Sequence, residues 1–272
     1  MTYFDFHVHA FTDSLAQRAV GALSETSGIT PATDGTVRCL RTLMEKNNIA
    51  KAMILPVATK PSQQTTINNW AAEVMGGGIY CCGSVHPDAE DAVEEIHRIK
   101  SLGLSGVKFH SEYQNFLPDE ERMFPLYEAI AEEGLIAVFH GGWDPFSKDE
   151  IKATPERFAA AAREFPNLKI VAAHLGAMKL WDDVEKCLAG KSDNVLFDVS
   201  VIARYLTDYS QVERIIKTHG TDKILFGSDC PWDDPSNEIA MINSLNLTET
   251  EKELIFFRNA ERLLESAENN AQ

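Results

Sequence analysis

Eight short runs rich in β-branched and aromatic residues recur along the chain, at residues 2–9, 50–57, 79–85, 106–110, 135–140, 168–174, 194–199 and 223–229. The stretches between them place apolar residues three and four apart, the spacing of one helix face. Helices are expected at 36–47, 64–75, 89–102, 119–133, 155–165, 178–189 and 208–219, with closing helices at 235–245 and 248–264. In 89–102, Ala92, Val93, Ile96, Ile99 and Leu102 share a face and leave His97 on the polar one. Asp88 and the Thr154-Pro155 pair read as helix starts, while Gly103, Gly134, Gly190 and Gly220 follow final turns. Parallel neighbours need crossover helices, and eight such strands close into a packed cylinder. The pattern therefore predicts an α/β chain folded as a (β/α)8 TIM barrel, a single domain over residues 1–272. An open doubly wound sheet is the competitor, but neither a GxGxxG fingerprint nor a Walker loop is present to favour it.

Composition agrees and narrows the partners. The chain is 44% hydrophobic and 24% charged, ample for a core of barrel size. Its formal charge of -16 repels phosphate backbones and anionic lipid heads, which argues against nucleic acid and membrane as partners. Cys39, Cys81, Cys82, Cys187 and Cys230 are odd in number and lack CxxC spacing, so reduced thiols in a cytoplasmic protein are expected. Adjacent Cys81 and Cys82 point to opposite faces of a strand and read as packing residues. The amino terminus has no basic start, and no run of about 20 apolar residues occurs, so neither an export signal nor a membrane span is expected.

Polar residues gather at strand ends. His7, His9, His86, His110, His140 and His174 lie at or beside the carboxyl ends of the expected strands, whereas His97 and His219 fall on helices and read as surface residues. The last strand ends in Asp229 and the fourth carries Lys108. In a barrel these ends share one rim, where catalytic groups collect. Alternation in the first strand sets Phe4, Phe6, Val8 and Ala10 under the helices and turns Asp5, His7 and His9 to the mouth. Lys108 pairs with His110 by the same rule. Two imidazoles at i, i+2 can reach one divalent ion, and His140, His174 and Asp229 on other strands make the constellation specific.

The runs FDFHVHAF, GVKFHSEYQNF, AVFHGGWDP, VAAHLGA, LFGSDCPW and RNAERLL together resemble the amidohydrolase superfamily, most closely its amidohydrolase-related (amidohydrolase 2) branch, over essentially the whole chain. The resemblance implies a metal-dependent barrel hydrolase. His7, His9, His140 and Asp229 match the ligands of a principal ion, most often zinc. His174 matches a strand-six histidine that binds a second ion in two-metal relatives and touches substrate in one-metal ones. Lys108 matches a lysine that some two-metal relatives carbamylate to bridge the ions, whereas this branch commonly uses one.

Chemistry supports these roles. A divalent ion lowers the pKa of its water from about 16 towards about 7 and polarises a carbonyl. Asp229 is placed to take the water's proton and pass it on, His174 to orient or protonate substrate, and an unmodified Lys108 to hold a substrate carboxylate. Ligating histidines need orienting partners, and His86 reads as such a group or as a loop-ordering residue. His110 stands between substrate contact and structure. Tyr113, Gln114, Phe116, Trp143, Phe146 and Trp232 lie on loops at the mouth, with His110, Tyr113 and Trp143 the candidates for binding substrate. No GxSxG elbow is present, and Ser105 to Lys108 matches SxxK without its companions, so a serine nucleophile is not expected. The expected activity is hydrolysis of an amide, lactone or ester in a small molecule that can carry a carboxylate. Decarboxylation of aromatic or unsaturated acids is the alternative within the family, and a non-catalytic metabolite-binding barrel the alternative outside it. Analogy of fold suggests a homodimer.

Overall fold

The computed structural model describes residues 1–147 and 150–269. Its strands are β1 (Tyr3–Val8), β2 (Ile49–Ile54), β3 (Ile79–Cys81), β4 (Gly106–Phe109), β5 (Ile136–Phe139), β6 (Lys169–Ala172), β7 (Val195–Asp198) and β8 (Ile224–Leu225). All pair in parallel, β1 to β3 as one ladder and β4 to β8 as another. Two seams close the ring. Between β3 and β4, Gly83 N–H donates to Gly106 O and Lys108 N–H to Gly83 O, both at 2.8 Å. Between β8 and β1, Phe6 N–H donates to Phe226 O and Asp229 N–H to His7 O, again at 2.8 Å. The chain is thus the expected (β/α)8 barrel, and it leaves no open sheet edge.

Apolar residues divide into an outer and an inner layer. Val8, Ile54, Cys81, Val107, Ala137 and Ile170 join the helices in the outer cluster. Phe4, Phe6, Met53, Cys82, Val138 and Leu225 fill the inner one, together with Ala260, Leu263 and Leu264 of the last helix, Asn259–Asn269. Cys81 and Cys82 split between the layers as expected, and all five cysteines are free thiols. The first strand departs from simple alternation: its register on β2 shifts between Asp5 and Val8. Phe4 and Phe6 therefore face inward, contrary to the expected parity, and His7 follows them on the same side. Asp5 is buried instead against the Ser228 backbone N–H at 2.9 Å and the Ser228 hydroxyl at 2.6 Å.

Helix ends show where local signals suffice. The proline starts at Pro155 and Pro235 form as expected, a capping box of Thr248 and Glu251 opens a closing helix, and Gly103, Gly134, Gly190 and Gly220 all take positive φ. The helix expected from residue 89 begins later, as Ala92–Ser101, with Asp91 rather than Asp88 at its N-cap; Asp88 pairs with Arg122. The stretch 178–189 becomes a short turn at Trp181–Asp183 and a π segment at Val184–Leu188. Besides the one-turn helices Ser111–Gln114 and Ile202–Tyr205, one long helix, Asp13–Ser27, escapes the periodicity. Its apolar residues are divided, Ala16 and Val20 to the core and Leu15 and Leu23 to a cavity above the barrel, so neither face reads as a stripe. Among the described residues no helix is long and apolar enough to cross a membrane.

His97 is exposed and pairs with Glu133 at 2.7 Å. His219 is not a surface residue. Its ring stacks on Phe197 at 3.7 Å, Nε2 lies 2.9 Å from Val195 O, and Nδ1 receives Gly190 N–H at 3.2 Å. The helix Tyr209–His219 presses this terminal residue against β7, an arrangement that helical position alone does not reveal. Burial lowers its pKa from 6.5 to about 4. Between those values the unfolded chain binds a proton that the folded chain refuses, so the stabilisation is complete above about pH 6.5 and is lost as pH falls towards 4. The expected loss is about 3 kcal/mol. Urea midpoints of the wild-type protein and a His219→Gln variant, compared from pH 7 to pH 4, should converge as pH falls. Parallel curves would remove this assignment.

Candidate metal centre and active-site cavity

The carboxyl ends of β1 and β8 bring three acceptor atoms together, and β7 supplies the carboxylate that orients one of them. His7 Nδ1 lies 2.8 Å from Asp198 Oδ2, and a carboxylate only accepts, so Nδ1 carries the proton and Nε2 the lone pair. His9 Nδ1 lies 2.8 Å from Leu55 O, which fixes the same tautomer. The two Nε2 atoms face each other at 3.3 Å. Asp229 Oδ1 lies 3.4 Å from the first and 3.1 Å from the second. Three lone-pair atoms this close repel unless a cation lies among them. Ligands about 2.0–2.2 Å from a tetrahedral ion stand about 3.3–3.6 Å apart; the spacings of 3.3 and 3.4 Å fall there and the third, 3.1 Å, is slightly shorter. The donor set therefore fits a divalent ion.

Close approach here depends on Gly227. A Cβ at that position would stand 2.8 Å from His7 Cβ and 3.2 Å from Ser200 Cβ. Beyond the short β6 and β8, His174 and Asp229 adopt left-handed backbone, at φ 60° and 64°. Such conformations cost about 1–3 kcal/mol each and gather at functional sites. The turn at His174 also explains why the strand expected to run to residue 174 stops early. The turns are held by His174 N–H donating to Asp198 Oδ1 at 3.1 Å and Trp232 N–H to Asp229 O at 2.8 Å.

Two further histidines extend the centre into a wall. His174 Nδ1 lies 3.1 Å from Ser200 O, and its Nε2 lies 3.0 Å from His140 Nδ1. The His174 ring is 5.2 Å from that of His7 and 4.7 Å from that of His140. His140 Nε2 is buried without a hydrogen-bond partner. His140 thus reaches the His7, His9 and Asp229 trio by way of His174, and its own close metal-competent grouping is with His110 and Asp144. Lys108 Nζ comes within 3.4 Å of His7 Nε2.

Burial shapes the protonation of the site. It lowers His7 to about 4, helped by Lys108 and opposed by Asp198. It holds His140 and His110 well below the usual imidazole value, helped by Lys108 and the neighbouring imidazoles. These rings are neutral at pH 7, the state that binds metal. Burial also brings Lys108 down to about 8 against the pull of Asp198 and Asp229. Burial pushes the Asp198 carboxyl up, yet His7, His174 and Ser200 outweigh it and keep the group ionised. The Asp229 carboxyl is likewise held low by His9 and His7 despite its burial. Asp144 is pushed up to about 7 by burial.

A cavity of about 560 Å³ opens over the centre. His9, Lys108, His110, Tyr113, His140, Asp144 and Asp229 line it alongside Phe146 and Trp232. The His110 ring stacks on Tyr113 at 3.7 Å and on His140 at 4.2 Å. Trp143 is not in the lining; its ring lies under Lys179 Nζ at 3.3 Å and beside Tyr205. Phe116 is a core residue. Gln114 ties loops together, accepting His110 N–H and donating to Ala58 O and Val85 O. His86 orders its own loop by accepting Asp88 N–H at 3.2 Å. Asp198, Ser200, Glu112 and Asp144 are site residues that sequence reading passed over. Asp198 and Asp144 both stand at or just beyond the carboxyl end of an expected strand, the signal that found the histidines.

A profile of the amidohydrolase family matches residues 4–265. The chain belongs to this family. Amidohydrolases of this kind are metal-dependent enzymes, and the fit of the donor atoms to an ion agrees. A comparison with curated protein sequences finds no match. Among solved structures, a TIM-barrel protein from Bordetella bronchiseptica superposes with a TM-score of 0.80 at 19% identity, covering 98% of this chain and 100% of that one. The 5-carboxyvanillate decarboxylase of Sphingomonas paucimobilis gives 0.68 at 17% identity, with 97% and 99% covered. A dihydroxybenzoic acid decarboxylase from Polaromonas sp. JS666, solved with bound manganese and an inhibitor, gives 0.72 at 16%, with 97% of each chain covered. At these identities the likeness establishes a shared fold.

Proposed function

We propose that this amidohydrolase is a metal-dependent hydrolase that cleaves an amide, lactone or ester bond in a small molecule. The observation that carries this reading is the trio of His7 Nε2, His9 Nε2 and Asp229 Oδ1, spaced 3.1–3.4 Å apart below a substrate-sized cavity. His140 is the fourth candidate ligand. A divalent ion held there, zinc by first preference, would acidify water and polarise a carbonyl. The manganese in the Polaromonas relative makes that ion the second choice. Asp229 accepts the attacking water's proton and returns it to the leaving group. His174, aligned by Ser200 and with Nε2 on His140 Nδ1 at 3.0 Å, steadies the substrate through the His140 ring that lines the cavity. Lys108 meets a substrate carboxylate as a point charge.

Decarboxylation is the second reading. Lys108 is the sole lysine or arginine in the described cavity lining, which suits one carboxylate beside the centre. Two solved relatives are decarboxylases. Incubation of zinc- or manganese-loaded protein with panels of lactones, amides, esters and aromatic acids separates the readings. Ring-opened or cleaved products with no carbon dioxide support hydrolysis, and carbon dioxide release from an acid overturns it.

Lys108→Ala discriminates its two roles. As an anchor, its loss leaves metal content at one equivalent and raises KM for anionic substrates by roughly tenfold or more, in line with a lost charge-assisted contact. As a carbamylated bridge, its loss removes a second equivalent of metal, and wild-type activity responds to bicarbonate. Elemental analysis and a bicarbonate titration decide between them.

A further inference from the structure

His110, Glu112 and Asp144, grouped beside His140, have no part in the chemistry proposed above. Asp144 lines the cavity just after β5, with its side chain almost fully buried. Its Oδ1 accepts Phe146 N–H at 3.2 Å, while Oδ2 has no hydrogen-bond partner. His110 Nε2 stands 4.0 Å from Oδ2, too far to satisfy it. On the ring's other side, His110 Nδ1 faces Glu112 Oε2 at 3.5 Å, and both atoms are buried without partners. Tyr113 lies flat on His110 beside them, and its hydroxyl pulls the Asp144 carboxyl down without reaching hydrogen-bond distance of Oδ2. A buried acceptor left open at a cavity wall is costly unless something donates to it.

The charge of the lining limits what that donor can be attached to. The described lining contains Lys108, Asp144 and Asp229 and no arginine. Lys108 lies on the metal side, 3.4 Å from His7 Nε2, so one anionic group can be met there. A second carboxylate would fall on Asp144, on apolar surface from Leu15, Leu55, Trp70 and Phe146, or on the neutral groups of Thr12, Thr59, Ser62, Gln63 and Thr66. None of these brings a second positive charge to compensate its desolvation.

We propose that Asp144 is the specificity-determining residue of this cavity: it accepts a hydrogen bond from a hydroxyl or N–H on an apolar substrate that carries at most one carboxylate. The inference rests on the proposed function only in taking the cavity as the substrate's seat.

Binding tests it without turnover. Calorimetry on metal-loaded protein compares phenylacetate, its 2-, 3- and 4-hydroxy isomers, and the 1,3- and 1,4-phenylenediacetates. At pH 8, above the Asp144 value of about 7, at least one hydroxy isomer should bind roughly tenfold tighter than phenylacetate, the effect of one hydrogen bond to a charged acceptor. Both diacids should bind at least tenfold more weakly than that isomer. In Asp144→Leu the hydroxyl preference should fall to about one while phenylacetate affinity changes little. Asp144→Asn, which keeps an acceptor oxygen and the side-chain shape, should retain part of the preference and serves if the leucine variant does not fold. The proposal is overturned if no hydroxy isomer gains over phenylacetate, if a diacid equals the best isomer, if the preference survives in Asp144→Leu, or if none of the compounds binds at millimolar concentration. An Asp144-dependent preference in a protein that turns over no substrate would sink the proposed reaction and keep this inference; turnover without the preference would do the opposite.

Discussion

A His7→Ala, His9→Ala double variant, expressed without chelator, should retain less than a tenth of the metal bound by the wild-type protein and lose at least about 10³-fold in kcat/KM. Each histidine offers a neutral Nε2 locked outward by its Nδ1 partner, Asp198 for His7 and Leu55 O for His9. Removing both leaves Asp229 alone of the trio, and one carboxylate does not hold a divalent ion against water. The loss of activity follows because the acidified water and the polarised carbonyl both depend on the ion. Elemental analysis of the two proteins side by side, with circular dichroism to confirm folding, is the measurement. Equal metal content in both would remove the assignment of the centre. Folding needs the check because the buried Asp198 carboxylate loses the His7 N–H, and leaving a buried acceptor without its donor costs about 1–3 kcal/mol.

An Asp198→Asn variant should lower metal affinity 10- to 100-fold while leaving every direct ligand in place. The Asp198 carboxylate organises the site from behind. One oxygen accepts from His7 Nδ1, and the other accepts the backbone N–H groups of His174 and Ser200 at 3.1 and 3.0 Å. An asparagine can keep the backbone contacts with its own oxygen, but it then turns an N–H donor towards His7. The imidazole responds by moving its proton to Nε2, which cannot ligate in that state. Competition with a chromophoric chelator gives the metal affinity, and kcat should recover at saturating metal to a greater extent than in the double histidine variant. An affinity within twofold of wild type would show that Asp198 supports the fold without orienting the ligand.

Asp198 also marks the limit of what could be read from the chain. The barrel was legible because helical and strand spacing are local, and eight repeats of one unit allow few other closures. His7, His9, Lys108, His140, His174 and Asp229 were legible because a barrel sends all its carboxyl ends to one rim. The orienting contacts were not, since the pairing of His7 with Asp198 spans 191 residues and leaves no trace in spacing. The helix Asp13–Ser27 was missed for a related reason, its apolar residues serving a core and a cavity at once. His219 misled because a polar residue on a helix is usually solvated, and only the packing of that helix end on β7 shows it stacked beneath Phe197.

By itself the sequence determined the repeating β-then-α architecture, the family and the set of polar groups delivered to the mouth, all consequences of period and position along each unit. Tertiary structure decided the register shift that turns Phe6 and His7 to the same side, the left-handed turns that aim His174 and Asp229, the tautomers that expose two Nε2 lone pairs, and the open acceptor on Asp144. Those features depend on distances between atoms far apart in the chain. Hydrogen bonding and metal fit are settled within a few tenths of an ångström, a precision that residue spacing does not carry.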